Sequence, residues 1–443
     1  MKELKIKFRW ETEFKETEIG EIPKDWEVSK IGIFYKLKYG ITATSSEFGN
    51  CRLLRQTDLK EGMIDISSVP YSEVSEDEIQ KYLLKEDDLV INRIANVGSI
   101  GYVSFEALNS LDKPLIFGSY LLKFEKIKEI HNKFTFYFLL SPQMQDYIKS
   151  IADGSTRQNT NAKVVAEFPL YVPPLPEQSR IATVLSWFDD LIEVKKRQNE
   201  ILEKTAMAIF KSWFIDFEPF RDGEFVYSEE LEKEIPKGWE VKRLYELCKI
   251  LRGLNFKSNE VIFEYVKGYI PVLRTNNIKG GFEIDFSDLM FVKENKINPE
   301  KLLKENDILL SASNGNPELV GNFAVFLNTF TDLAFSFGAF IYLIRVNNHE
   351  MFPYVYLSLS DNSFREYVAS AISGTNINNL NLSDLKNFPI LIPPPHILQS
   401  FHSLVEPLFQ KIMLNQKQIM TLRKIRDTLL PLLVFGKLRV EEV

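Results

Sequence analysis

Polar side chains gather in three pairs of short loops, and their residue types suit hydrogen bonding to an extended ligand. Arginine and lysine pair bidentately with guanine edges in the DNA major groove, and asparagine and glutamine pair with adenine edges. A single residue of this kind is typical of a solvated turn, but the whole set, present in both copies, favours contact with a ligand. The predicted DNA-binding residues are Arg55, Gln56, Arg93, Asn96, Arg157, Gln158, Asn159, Asn161, Lys163, Arg274, Asn276, Asn277, Asn314, Asn376, Asn378 and Asn379.

Residues that could catalyse a reaction do not form a recognisable pattern. The four histidines have no cysteine or carboxylate nearby at metal-ligand spacing. The glycine motifs at 98–101 and 315–317 lack the Lys-Ser/Thr that completes a phosphate-binding loop. With 61 carboxylates in the chain, chance pairs are certain, so no nuclease metal site is predicted. We interpret the chain as one that binds rather than catalyses, with no catalytic residue, metal or cofactor of its own.

Charge and composition restrict the partners. The net charge of −7 makes general DNA binding unfavourable, because nonspecific affinity comes from neutralised phosphates. Any role on DNA therefore needs local basic surfaces or a partner subunit that supplies phosphate contacts. The two cysteines make no metal or redox spacing, and neither a signal peptide nor a membrane span is recognisable. These features predict a globular cytoplasmic protein that does not bind a membrane.

The loops are positioned by a duplicated framework, because the sequence repeats after about 220 residues. The segment IPKDWEV at 22–28 returns as IPKGWEV at 235–241, and LLKEDD at 83–88 returns as LLKEND at 302–307. The Phe-Gly pair at 117–118 returns at 337–338. A period of domain size predicts two similar lobes with a pseudo-two-fold relation, not a solenoid.

Each copy is predicted to be a globular α/β part followed by one long helix. Strand-like runs at 51–59, 88–92, 100–104 and 115–124 have counterparts at 269–278, 307–311, 321–327 and 334–346. Helical stretches follow at 133–152 and 351–372, and a proline cluster then begins each long helix. Both long helices carry apolar residues at alternating spacings of four and three, the heptad pattern of a coiled coil.

The paired pattern predicts an antiparallel coiled coil, a rod of about 50 Å that holds the lobes apart. Lys195, Asn199 and Asn415 lie in this seam and are expected to fix its register. Pro407 also lies in the seam and should kink or break the second helix. The alternative is that each helix packs separately on its own lobe.

Aromatic residues near the first long helix are candidates for binding another subunit. Trp187, Phe214 and Phe217 lie off the seam or at its end. They would contact a partner if they are exposed. Packing against their own lobe is the alternative.

With these features in place, the chain resembles the specificity subunit of Type I restriction-modification enzymes, the HsdS family, over nearly its whole length. The resemblance rests on TEIGEIPKDWEV at 17–28, PPLPEQ at 173–178, FKSWFIDF at 210–217 and RDTLLP at 426–431. The second proline cluster departs from the pattern, because PPPHILQ at 393–399 lacks the Pro-Glu-Gln of the first.

The resemblance implies an α+β fold with two globular α/β target-recognition domains related by pseudo-two-fold symmetry and separated by an antiparallel coiled coil. The expected segments are a tail at 1–16, a first target-recognition domain at 17–175, a first spacer helix at 176–216, a second domain at 217–395 and a second spacer helix at 396–443.

The implied function is reading one half of a split double-stranded DNA site with each domain. The helices would dock two methyltransferase subunits, and restriction/translocase subunits would complete the assembly. S-adenosylmethionine, ATP and magnesium would belong to those partners. The alternative is a two-lobed scaffold that assembles partners through its coiled coil without reading DNA, and the acidic charge favours it.

Overall fold

The computed structural model describes residues 6–18, 20–60, 62–94, 97–153, 160–328, 333–372 and 378–442. Helices alternate with short, mostly antiparallel strands, and this confirms the predicted α+β class. None of the helices in these ranges combines the length and apolar character needed to span a bilayer.

The first half of the chain contains the N-terminal segment, the first copy and its long helix. The strands are β1 Ile6–Trp10, β2 Phe14–Lys15, β3 Ile22–Pro23, β4 Glu27–Lys30, β5 Tyr35–Tyr39, β6 Cys51–Leu54, β7 Leu59–Lys60, β8 Met63–Ile64, β9 Tyr71–Ser72, β10 Leu89–Asn92, β11 Ile100–Tyr102, β12 Leu115–Phe117, β13 Leu121–Lys126 and β14 Pro169–Val172. The helices are α1 Ile31–Phe34, α2 Glu76–Tyr82, α3 Phe105–Asn109, α4 Asn132–Leu140, α5 Pro142–Asp153, α6 Ala162–Ala166 and the long α7 Leu175–Phe214.

The second copy ends in an equally long helix and a final strand. Its strands are β15 Phe225–Ser228, β16 Lys233–Pro236, β17 Glu240–Arg243, β18 Cys248–Arg252, β19 Val261–Ile262, β20 Tyr269–Leu273, β21 Ile278–Gly280, β22 Glu283–Ile284, β23 Met290–Lys293, β24 Ile308–Ser311, β25 Phe323–Val325, β26 Ser336–Phe337, β27 Ile341–Val346, β28 Pro389–Ile392 and β29 Leu438–Glu442. Its helices are α8 Leu244–Leu247, α9 Phe352–Ser360, α10 Asn362–Ile372, α11 Leu382–Lys386 and α12 Pro395–Val434.

The duplication predicted from sequence is present in the strand order. The first copy holds an antiparallel sheet in the order β11-β10-β13-β5, and the second holds β25-β24-β27-β18. A parallel pair stands beside each sheet, β12 with β6 and β26 with β20. The central strands β10 and β24 are fully buried and begin with three consecutive apolar residues, which favours the same sheet in both copies.

Three predicted elements are divided in each copy. The strand runs at 51–59 and 269–278 are each interrupted by a short 3₁₀ helix, at 56–58 and 275–277. The run at 115–124 becomes β12 and β13, because the chain turns at Gly118 and the Leu121 amide donates to the Gly118 carbonyl. The predicted helix at 133–152 is interrupted at Ser141-Pro142, and the one at 351–372 is interrupted at Asp361. The Asp361 carboxylate accepts a hydrogen bond from the Ser363 amide, as expected of a residue that caps a new helix.

In each copy, a glycine lets another part of the chain pass close to the turn after the Phe-Gly pair. A Cβ on Gly40 would lie 2.3 Å from the Gly118 carbonyl oxygen, and one on Gly253 would lie 2.1 Å from the Gly338 oxygen. Both distances are far inside van der Waals contact. The opposing atoms are backbone, so they cannot rotate away as a side chain could.

We therefore expect Gly40→Ala and Gly253→Ala each to lower the free energy of unfolding by about 1–3 kcal/mol. Urea unfolding followed by circular dichroism measures the change. Gly315→Ala is the matched control, because no atom of the described residues lies within 4 Å of its added Cβ. Equal unfolding midpoints for Gly253→Ala and Gly315→Ala would contradict the argument.

The long helices pair antiparallel, as predicted. Residues later in α7 contact residues earlier in α12: Lys195 hydrogen-bonds Gln418, and Asn199 accepts a 3.0 Å bond from Asn415. The asparagine pair is buried between apolar seam residues, which suits the predicted role in fixing register. The expectation for Pro407 is wrong in so far as α12 continues through it; this residue is exposed and lies beyond the first turns.

The chain forms two compact units. Unit 1 comprises residues 1–190 and 422–443, and unit 2 comprises residues 191–421. Within unit 1 the two ends of the chain meet, because β1 pairs antiparallel with β29. Within unit 2 the core gathers aromatic rings from both long helices and the second copy, including Phe214, Phe401 and Tyr354.

Candidate nucleic-acid interface

The polar loops lie at one end of each four-stranded sheet, where its strands begin or end. In unit 1, β5 and β10 end here and β11 and β13 begin here, since Asn92 is opposite Leu121 and Tyr39 is opposite Leu122. We define the loop edge of unit 1 as residues 39–41, 55–57, 93–94, 118–120 and 160–163. The loop edge of unit 2 is residues 252–254, 274–277, 312–316, 338–340 and 378–381.

Three loops of unit 1 converge on the turn at 118–120. The Gly118 amide donates to the Leu54 carbonyl at 2.9 Å, which brings the loop at 55–57 to the turn. The Arg93 amide donates to the Tyr120 carbonyl at 3.1 Å, and the Thr160 amide donates to the Arg93 carbonyl at 2.8 Å. Backbone bonds therefore hold all three predicted loops together.

Unit 2 repeats this arrangement at its turn, 338–340. The Gly338 amide donates to Leu273 at 2.9 Å and the Ala312 amide donates to Phe340 at 2.8 Å. The Leu380 amide donates to Ala312 at 2.8 Å. The same three loops thus meet in both copies, although most of their side chains differ.

Several predicted residues fall outside the part of the chain that the structure describes. These are Asn96, Arg157, Gln158, Asn159 and Asn376. The prediction for them stays a prediction.

Arg55 and Gln56 are partly enclosed by the fold. The Arg55 guanidinium donates to the carboxylate of the buried Asp58 at 2.8 and 3.2 Å and to the Ser68 carbonyl at 2.7 Å. Hydrogen bonding to Asp58 raises the pKa of Arg55, so the residue stays charged. Gln56 Oε1 is buried and has no hydrogen-bond partner among the described residues. Arg55 thus presents a charge whose orientation is fixed.

The equivalent loop of unit 2 is organised by Asp288. The Arg274 guanidinium donates to its carboxylate at 2.6 Å, and Asn276 donates to the same oxygen at 3.0 Å. Asn277 is fully buried and accepts from the Arg274 amide at 2.7 Å. The prediction that Asn277 contacts a ligand is wrong, since its side chain serves to shape the loop.

Arg93, Asn161 and Lys163 lie together on the loop edge of unit 1. Arg93 Nε donates to the Ser119 carbonyl at 2.9 Å, and the guanidinium carbon lies 5.3 Å from the centre of the Tyr39 ring. Asn161 caps α6 by accepting from the amides of Lys163 and Val164. Lys163 is exposed on the first turn of that helix, so a cation stands at its N-terminal end beside Asn161.

Asn314, Asn378 and Asn379 come together at the loop edge of unit 2. The Asn314 amide donates to the Asn378 carbonyl at 3.4 Å, and residue 379 forms an antiparallel bridge with Ser313. Asn378 Nδ2 donates to the Gly315 carbonyl at 3.4 Å. Asn314 is more than sixty positions away from Asn378 and Asn379 in the sequence, and the fold brings the three residues together.

Sequence reasoning missed the aromatic residue at the centre of each loop edge. Tyr120 is 51% exposed and Phe340 is 62% exposed. Phe340 lines a cleft of about 480 Å³ together with Phe256, Arg274 and Asn276. The signal was present, because both residues stand two places after the repeated Phe-Gly pair.

The candidates for subunit binding divide into two groups. Trp187 is 44% exposed on α7 and is still available to a partner. Phe214 and Phe217 are buried and pack on Trp239 inside unit 2. The prediction that these two bind another subunit is wrong for the folded chain, and the alternative of packing within their own lobe holds.

A further apolar stripe on α7 had not been identified from the sequence. Leu191, Val194 and Ile201 are about half exposed or more and share the helix face beside the buried seam. Their spacings of three and seven are the signal that could have revealed the stripe.

Comparisons with known proteins show that the chain is similar to Type I restriction specificity proteins over nearly its whole length. The family model described as the Type I restriction modification DNA specificity domain matches residues 23–204 and 236–424. The specificity subunit of the Type I restriction enzyme MjaIX from Methanocaldococcus jannaschii is 41% identical over 442 residues, 99% of each chain. The MjaVIII specificity subunit of the same organism is 26% identical and also covers 99% of each chain.

The fold is similar to one solved experimentally. The S subunit of a Type I restriction-modification system from M. genitalium matches with a TM-score of 0.50 at 20% identity. The match covers 92% of this chain and 96% of the other. At this identity the similarity concerns the fold alone.

Proposed function

The chain belongs to the Type I restriction modification DNA specificity family, and we propose that the loop edge of each unit reads one half of a split DNA site. The observation that carries this proposal is the convergence of three polar loops on one turn in both units. A duplicated site whose side chains differ suits two half-sites of different sequence. The role of the chain is recognition, and the reaction belongs to its partners.

The side chains of the loop edges offer the groups that base recognition requires. Arg274 and Asn276 are held by one carboxylate and line an open cleft, so their donors are oriented before DNA arrives. Arg93 is similarly fixed by the Ser119 carbonyl. Orientation in advance reduces the entropy lost on binding.

We expect Arg93→Ala and Arg274→Ala each to weaken binding to the cognate duplex by about 1–3 kcal/mol, because each removes a potential guanine contact. Binding to a scrambled duplex should change little, since one charge among many contributes little to nonspecific affinity. Fluorescence anisotropy at fixed salt, with the reconstituted complex, measures both affinities.

Arg9→Ala in unit 1 and Arg221→Ala in unit 2 are matched controls, since both are exposed arginines that lie outside the loop edges. Equal weakening on cognate and scrambled DNA would assign Arg93 and Arg274 to backbone contact. Unchanged affinity on both would favour the alternative function, a scaffold that does not read DNA.

We also infer that α7 contributes to docking a methyltransferase subunit. The support is the stripe of Leu191, Val194 and Ile201, which leaves apolar surface exposed on a helix whose seam is already filled. Two methyltransferase subunits and the restriction/translocase subunits are the proposed partners. S-adenosylmethionine, ATP and magnesium are proposed to bind those partners and not this chain.

A further inference from the structure

The two loop edges place an arginine against the same backbone carbonyl, but from different strands. In unit 1, Arg93 follows β10 and its Nε donates to Ser119. In unit 2, Arg252 is the last residue of β18 and its Nε donates to Ala339 at 3.4 Å. Ser119 and Ala339 are equivalent, since each follows the repeated Phe-Gly pair.

The register of the two sheets shows that the arginine at the turn occupies a different position in each unit. Tyr39 is opposite Leu122 and Arg252 is opposite Tyr342, so Tyr39 and Arg252 occupy the same place in their sheets. Arg93 in turn corresponds to Ala312, because both amides donate to the aromatic residue of the turn. Each unit thus keeps one guanidinium at its turn although the residue that supplies it differs.

The residue that this turn exposes is aromatic in both units. Tyr120 and Phe340 are more than half exposed, yet their backbone carbonyls are fixed by the amides of Arg93 and Ala312. A single exposed ring is ordinary on a protein surface. Here an exposed ring is found at the same position in both units, on a fixed turn to which an arginine is bound. This arrangement favours a ligand that combines apolar and anionic surfaces.

Resting on the proposed DNA recognition, we propose that Tyr120 and Phe340 contact the bases of the half-site read by their own unit. Arg93 and Arg252 position the turns that carry these rings. The DNA major groove offers an apolar surface at the thymine methyl groups and is lined on both sides by phosphates. The ring supplies the apolar contact to the bases, and the guanidinium beside it holds the turn that carries the ring.

The test uses the full complex with its methyltransferase and duplexes that carry the mapped methylation motif. Tyr120→Ala and Phe340→Ala should each weaken cognate binding by roughly 5- to 100-fold. Tyr120→Phe should retain most of the affinity, because the ring remains. Scrambling one half-site should remove the effect of one variant, and scrambling the other half-site should remove the effect of the second.

Phe105→Ala and Tyr245→Ala are the controls. Both residues are exposed aromatics, and they lie at the opposite end of the sheets, after the end of β11 and before the start of β18. Wild-type complex that does not prefer the motif over a scrambled duplex would overturn the proposed function itself. Wild-type preference with unchanged binding by both alanine variants, or with equal losses on motif and scrambled DNA, would overturn this inference alone.

Discussion

Arg439→Met should lower the free energy of unfolding of unit 1 by about 3–5 kcal/mol. Arg439 is 8% exposed and lies on β29, the last strand of the chain. Its guanidinium donates to Glu177 at 2.6 and 2.8 Å, to Glu11 at 2.7 Å and to Asp25 at 3.0 Å. One side chain therefore joins both ends of the chain to the start of α7.

The cost is large because the variant leaves carboxylates buried without their cation. Glu177 is nearly fully buried and would keep one hydrogen bond, from the Trp26 indole at 3.3 Å. Methionine has a similar length, so the loss reflects charge more than packing. Arg9→Met is the matched control: Arg9 is paired with Arg439 across the same two strands but is exposed, and its loss should cost at most about 1 kcal/mol.

The difference between wild type and Arg439→Met should also depend on pH. Burial opposes ionisation of Glu11, but bonds from the Thr12 and Glu13 amides and from Arg439 lower its pKa to about 2. A lowered pKa stabilises the folded chain above the unfolded pKa of about 4.3, and this contribution disappears as the pH falls towards 2. Urea unfolding between pH 7 and pH 2 should show the difference narrowing. A constant difference would contradict this account of the network.

The second large effect should be loss of assembly when the stripe on α7 is charged. Leu191→Asp combined with Val194→Asp places two carboxylates on a surface that we propose a methyltransferase covers, and desolvating them without partners is costly. We expect the variant to fold and to fail to co-purify with the methyltransferase. DNA methylation by the reconstituted mixture should then fall to background.

Lys196→Gln is the matched control for this experiment. It changes the charge of α7 by the same sign, is partly exposed, and lies about 140° or more around the helix from Leu191 and Val194. Its complex should assemble and methylate as the wild type does. Normal co-purification of the Leu191/Val194 variant would show that the stripe is not the docking surface.

The approximate positions of the core strands and the helix pairing could be anticipated because they follow from patterns that the sequence repeats. Buried strands such as β10 and β24 begin with three consecutive apolar residues, and the apolar seam holds a buried polar pair, Asn199 and Asn415. The turn at Gly118 was missed because apolar residues continue on both sides of it. Whether the chain turns there depends on a close approach to Gly40, which is distant in sequence.

The candidate site was predicted in outline but not residue by residue. Loop composition identified the segments that converge, but it could not separate Asn277, which shapes its loop from within, from Asn276, which faces the cleft. The same limit applies to Phe214, whose burial depends on the rings of three residues distant in sequence, Trp239, Tyr354 and Phe401. The exchange between Arg93 and Arg252 is invisible in the sequence, since it appears only when the strand registers are compared.

The methylation motif of the reconstituted complex tests the central claim most directly. The account predicts a split motif for the wild type, with Arg93→Ala relaxing the sequence requirement in one half and Arg274→Ala relaxing it in the other. Sequencing that detects modified bases gives the motif at fixed salt and enzyme concentration. A continuous motif, or relaxation of both halves by either single variant, would contradict recognition by two separate loop edges.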